Sequence, residues 1–214
     1  MIRIRLVALV AALAAPLGAP AQAPSNPNLN AQLLVGARQA DAAQVQRTLA
    51  AGAAPDSRNR LGKTALLIAA EKGDEKIAEM LLAAQADVNL ASLEGVTPLM
   101  AASYGGHTAL VRRLLQAGAR TDAVDRVKKP AIVYAAGQGQ VGALQALLDA
   151  GADVNGAHEH RLTPLMWAAG EGQLEAVKLL LARGARTDLR DDRGMTAADI
   201  ARAEGKTEVL ALLR

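Results

Sequence analysis

Apolar and polar positions along the chain fall into two helical patterns that recur in alternation. Leu174-Glu-Ala-Val-Lys-Leu-Leu-Leu181 sets apolar residues at helical spacing with charged residues between them, which predicts a helix with one buried stripe. Just upstream, Met166-Trp-Ala-Ala-Gly170 continues a shorter helix, in which Ala168 and Ala169 allow a neighbouring helix to approach closely. The pair recurs with a fixed period. Thr64-Ala-Leu-Leu, Thr97-Pro-Leu-Met, Pro130-Ala-Ile-Val, Thr163-Pro-Leu-Met and Thr196-Ala-Ala-Asp begin 33 residues apart without an insertion or deletion. A glycine follows nine residues after each start, at Gly73, Gly106, Gly139, Gly172 and Gly205. A second recurs at Gly52, Gly118, Gly151 and Gly184, with Gln85 as the exception.

One unit explains the rest. Thr163 is placed to cap a helix, and Pro164 suits the first helical position, where its missing N–H would have no partner anyway. Gly172 ends that helix, and Gly184 supplies a left-handed cap to the next. Asp191-Asp-Arg-Gly194 then makes a tight turn at a projecting finger. A helix–turn–helix of this size cannot bury its apolar face alone, so the expected fold is a stack of units at 31–63, 64–96, 97–129, 130–162, 163–195 and a truncated 196–214.

Gly95-Val-Thr-Pro-Leu-Met-Ala-Ala102, Gly105-Gly-His-Thr-Ala-Leu-Val111 and Gly151-Ala-Asp-Val-Asn155 resemble the units of ankyrin-repeat proteins across residues 31–214. The resemblance implies an all-α solenoid of helix–turn–helix units with short β-hairpin-like fingers. It also implies a partner protein bound on the concave surface of fingers and first-helix ends. One departure is consistent. The family's histidine after Thr-Pro-Leu is replaced by Leu67, Met100, Val133, Met166 and Asp199, so packing is expected to hold those positions. His107 follows a turn glycine where the family often has histidine, and it reads as structural.

Composition narrows the chemistry. With no Cys there is no disulfide, thiolate nucleophile or Cys-based metal site. With one Trp, two Tyr and no Phe, the core must be built from Ala, Leu, Val and Ile.

The N-terminus reads as an export signal. Arg3 and Arg5 precede the uncharged run Leu6–Ala15, Pro16 and Gly18 break it, and Ala19 and Ala21 give signal-peptidase spacing, favouring cleavage after Ala21. The run is too short to cross a bilayer, and no membrane contact is expected after cleavage. Residues 22–30 read as a polar linker. Without Arg3 and Arg5, 22 cationic residues face 21 acids, a charge of about +1 that excludes a broad nucleic-acid-binding field. The expected location is periplasmic or secreted.

Other motifs reduce to the repeat. Gly137-Gln-Gly-Gln-Val-Gly142 has the spacing of a dinucleotide fingerprint, but Gly139 is the repeat's turn glycine. Gly62-Lys-Thr64 lacks the earlier glycine of a phosphate-binding loop, since Ser57 stands there. No nucleophile–base pair is visible, so no enzyme and no cofactor are expected. The candidate binding surface comprises Leu93, Glu94, Val96, Val124, Val127, Lys129, His160 and Leu162 on the fingers, with Tyr104, Gln138 and Glu171 at helix ends. Apolar Leu93, Val96, Tyr104, Val124, Val127 and Leu162 gather in the middle units, and exposed apolar residues mark protein contacts. Tyr134 and Trp167 read as packing between repeats. The expected function is a non-enzymatic protein-interaction module, monomeric alone, either a passive scaffold or, more specifically, an inhibitor or protective partner of an enzyme. The alternative is a metal- or small-ligand-binding protein using His158 and His160.

Overall fold

A computed structural model describes residues 26–213, and the export signal read at 1–21 lies outside them. Among the described residues the chain forms twelve α-helices in six consecutive pairs. These are α1 (Pro27–Gln39) with α2 (Ala42–Ala50), α3 (Ala65–Lys72) with α4 (Glu75–Ala83), and α5 (Pro98–Tyr104) with α6 (Thr108–Gln116). They continue as α7 (Ala131–Gly137) with α8 (Val141–Asp149), α9 (Pro164–Glu171) with α10 (Leu174–Ala182), and α11 (Ala197–Ala203) with α12 (Thr207–Leu212). Helix α1 begins inside the stretch read as linker. Asn26 accepts from the Asn28 N–H and Pro27 takes the first turn, the same start signal that opens α5 and α9.

Each odd helix packs on the next odd helix, and each even helix on the next even one, giving two layers. The odd layer is the tighter, because alanines line its contacts. Ala69, Ala70, Ala102, Ala135, Ala136, Ala168, Ala169 and Ala201 are fully buried. The even helices are amphipathic and bury one stripe: Ile77, Ala78 and Leu81 in α4 recur as Leu110, Val111 and Leu114 in α6 and as Ala143, Leu144 and Leu147 in α8. Burying one such leucine contributes about 1.5–3 kcal/mol.

The expectation that packing alone fills the histidine positions holds at Leu67 and Val133, which are buried. It is corrected at three others. Met100 Sδ accepts from the Thr97 N–H, Met166 Sδ from the Thr163 N–H, and Asp199 Oδ2 from the Thr196 N–H at 3.1 Å. Each threonine caps the helix in return, so a reciprocal capping box stands where the histidine would be.

The fingers (58–63, 91–96, 124–129, 157–162 and 190–195) are not β-hairpins. Among the described residues the only bridge is an isolated antiparallel one, Arg58 to Thr64. Each finger instead closes in one turn, for example from Asn59 N to Lys63 O at 3.0 Å and from Asp191 N to Met195 O at 3.0 Å. The first residue's side chain completes it. Asn59 Oδ1 accepts from Leu61 and Lys63 N–H groups, Asp125 Oδ1 from Val127 and Lys129, and Asp191 Oδ1 from Arg193 and Met195. A turn closed within five residues leaves no length for a ladder.

Candidate protein-interaction surface

Fingers and odd helices form one continuous face, tied together by contacts between successive units. Leu93 N donates to Leu61 O at 3.0 Å, Arg126 N to Glu94 O at 2.9 Å, and Asp192 N to His160 O at 3.1 Å. From the third unit onward the residue after the turn glycine reaches back to the previous unit, whereas Asp74 in the second caps its own helix. His107 packs on Gly73 and Gly105, where a Cβ at Gly73 would meet its ring at 2.4 Å. Gln140 Nε2 donates to Tyr104 O at 3.3 Å, and Gln173 Nε2 to Gly137 O at 3.1 Å. His107 is therefore a structural residue, and Gly139 is a turn glycine at φ 67° following a helix rather than a strand.

The centre of the face is aromatic. Tyr104, 54% exposed, meets Tyr134 edge-to-face with centroids 6.0 Å apart and planes at 78°. Tyr134 donates its hydroxyl to Asp125 Oδ2, which holds the third finger against α7. Lys129 of the same finger reaches the following unit, where its Nζ sits 3.9 Å from the centre of the Trp167 ring. Tyr134 and Trp167 are half-buried between units, as their reading as inter-repeat packing expects: Tyr134 packs on the core and on Tyr104 of the preceding unit, and Trp167 lies beside Gly137 and under Lys129. The equivalent positions hold buried Ile68, Ala101 and Ile200. The two aromatic rings occupy the same inter-unit position and leave part of their surface uncovered.

The other candidate residues divide in two. Leu93 is 69% exposed and lies against Gly62 of the preceding finger, while Val124 and Val127 are exposed on the third finger. Gln138 and Glu171 are exposed at the ends of α7 and α9. Val96 and Leu162 are half-buried against the core instead of free. Glu94 is engaged by Arg126 at 3.1 Å, and Lys129 is committed to Trp167.

Two clefts flank the aromatic centre. One of about 570 Å³ lies between α1, α3 and the first finger. The other, about 300 Å³, lies between α9 and α11, where Leu162, Trp167 and Glu171 come together with Glu204 and Lys206.

The fourth finger departs from the others. His158 stands where Asn59, Asp125 and Asp191 accept two backbone N–H groups, and its Nε2 is buried without a partner, close to Gly156. Burial pushes the His158 imidazole below its ordinary value. Arg161 takes the positive φ, 59°, found at the same place in the other fingers at Gly62, Gly95, Lys128 and Gly194, and this finger alone adds a second at His160, φ 55°. His160 itself is exposed, 3.7 Å from Asp192 and 3.8 Å from Glu159. The two histidines therefore differ in environment, and among the described residues no three His, Asp or Glu side chains gather as a metal site. No helix among them is long and apolar enough to cross a membrane.

A family model described as Ankyrin repeats (3 copies) matches residues 33–125 and again residues 132–214. No curated protein matches the chain.

Proposed function

Because the chain belongs to the ankyrin-repeat family, a family of non-catalytic protein-binding repeats, we propose that it holds another protein against the face built from its fingers and odd helices. The partner docks over the central units, with Tyr104 as the anchor. The observation that carries this reading is the Tyr104–Tyr134 pair. An exposed aromatic ring held edge-on by a second ring, itself tethered to a buried carboxylate, is a preorganised contact. Exposed Leu93, Val124 and Val127 continue the apolar surface around it.

The cationic start, short apolar run and Ala19-x-Ala21 spacing support export to the bacterial periplasm. A stack with one continuous face of fingers and odd helices suits an inhibitor or protective partner that covers an enzyme's active site.

A photo-crosslinking residue at position 104, compared with one at Arg112 on the outer side of α6, tests the docking face in cells. Adducts from 104 and none from 112 are expected. Equal yields, or adducts from 112 alone, contradict it.

A further inference from the structure

The cleft at the N-terminal end differs from the rest of the face in its charge. Its floor is aliphatic, formed by Leu34 and Val35 of α1 with Ile68 of α3. Its rim carries three guanidinium groups, Arg38, Arg58 and Arg60, all exposed. No Asp or Glu lines the cleft, and none of the three arginines forms an ion pair among the described residues; Arg58 donates only to the Ala91 carbonyl. Six other surface arginines are neutralised, Arg120 by Asp122, Arg126 by Glu94, Arg183 by Asp149, Arg186 by Asp188, Arg193 by Asp191 and Arg202 by Asp199. The remaining unpaired ones among the described residues, Arg47, Arg112, Arg113, Arg161 and Arg190, lie elsewhere on the surface and not around this aliphatic floor. Ser57 also lines the cleft, and its hydroxyl is buried without a hydrogen-bond partner.

An aliphatic floor under unpaired cations fits an occupant with an apolar body and negative charge around it. We propose that this cleft seats an acidic segment of the partner polypeptide, an aliphatic side chain entering between α1 and α3 while flanking carboxylates meet Arg38 and Arg60. The inference rests on the protein-binding role proposed above and names the chemistry of one part of that partner. A polypeptide is favoured over a free anion for two reasons. The cleft opens onto the same face as Tyr104, and its cations are spread along the rim at a helix end and a finger rather than converging on one point.

The test is a titration of the purified chain followed through the methyl resonances of Leu34, Val35 and Ile68. The probe is a blocked hexapeptide of two leucines flanked on each side by two glutamates. The comparison ligands are the same peptide with lysines in place of glutamates, and laurate. Saturable shifts confined to these methyls are expected with the glutamate peptide alone, weakened about tenfold by Arg38→Glu combined with Arg60→Glu. Both positions are exposed, so that variant folds as the parent does. Tyr104→Ala leaves this titration unchanged, which separates failure of the cleft from failure of the docking face. The proposal is overturned if the lysine peptide binds equally, if shifts spread over the even helices, or if no shift occurs. It is equally overturned if laurate binds and the peptide does not, which marks a lipid-type ligand. Contacts in the free protein from these methyls to residues before Asn26 also overturn it, because the chain then fills its own cleft.

Discussion

The Tyr134 hydroxyl donates to Asp125, the same buried carboxylate whose other oxygen accepts from the Val127 and Lys129 N–H groups. One side chain thus closes the third finger and fixes the ring on which Tyr104 rests. Tyr134→Phe removes one donor from a buried anion and is expected to cost about 1.5–3 kcal/mol in chemical denaturation. A change below about 0.5 kcal/mol would show the bond to be idle. Burial first, and Asp125 second, push the Tyr134 hydroxyl well above its ordinary value. The folded state therefore holds this proton more tightly than the unfolded chain does. The stabilisation is intact below about pH 10 and erodes as pH climbs toward the raised value, so the gap between wild type and Tyr134→Phe narrows there.

Asp199 behaves in the opposite sense. Its carboxylate accepts from the Thr196 hydroxyl and N–H and is paired with Arg202 at 2.8 Å, which lowers its pKa to about 2. The cap it closes on α11 is complete above the ordinary aspartate range and is lost as pH falls through about 2. Carboxyl NMR should place its midpoint near 2. A midpoint at the ordinary 3.8 would mean that the capping box is open in solution.

The junction between the third and fourth fingers is the weakest in the stack. The inter-finger bonds at Leu61, Glu94 and His160 have no counterpart at Val127. Asn89 and Asn155 each latch onto the next unit through backbone N–H and C=O groups, whereas Asp122, at the equivalent position, is turned to Arg120. Pro130 gives α7 no side-chain cap, and Lys128, His160 and Arg161 adopt positive φ. Hydrogen exchange is expected to find residues 130–162 opening before their neighbours, and finding them the best protected would refute this. Lys128→Gly should stabilise the chain by up to about 1 kcal/mol, since glycine carries no penalty at that φ.

Gly142 costs helix propensity, yet alanine does not fit as it stands. A Cβ there would lie 2.4 Å from Thr108 Oγ1 of the previous unit. Gly142→Ala alone is therefore expected to give no gain. The propensity benefit of about 1 kcal/mol should emerge once Thr108→Ala clears the space. Additive effects in thermal melts would contradict the contact.

The repeat made the fold legible because every 33rd position meets the same neighbours, so period and capping residues determine the helices without long-range information. Sequence placed Tyr104 and Leu93 on the surface because their unit positions are exposed in any such stack. It placed Tyr134 and Trp167 between units, but not the part of each ring that stays uncovered, since no periodicity reports ring size. The Met100 and Met166 capping contacts were hidden for a similar reason, because methionine reads as core before its sulfur is seen beside a backbone N–H. The departure of the His158 finger was not legible, because the turn closure by Asn59, Asp125 and Asp191 that it lacks is visible only in their hydrogen bonds. The N-terminal cleft depends on α1 continuing back to Pro27, where composition reads as linker.

The most direct test is an amide-exchange footprint of the chain alone and with the partner recovered by crosslinking. Protection gained over 91–96, 104–105 and 124–129, with the even helices unchanged, is the result expected of a protein gripped by the fingers and the Tyr104 centre. Protection confined to α4, α6 and α8 would contradict that reading.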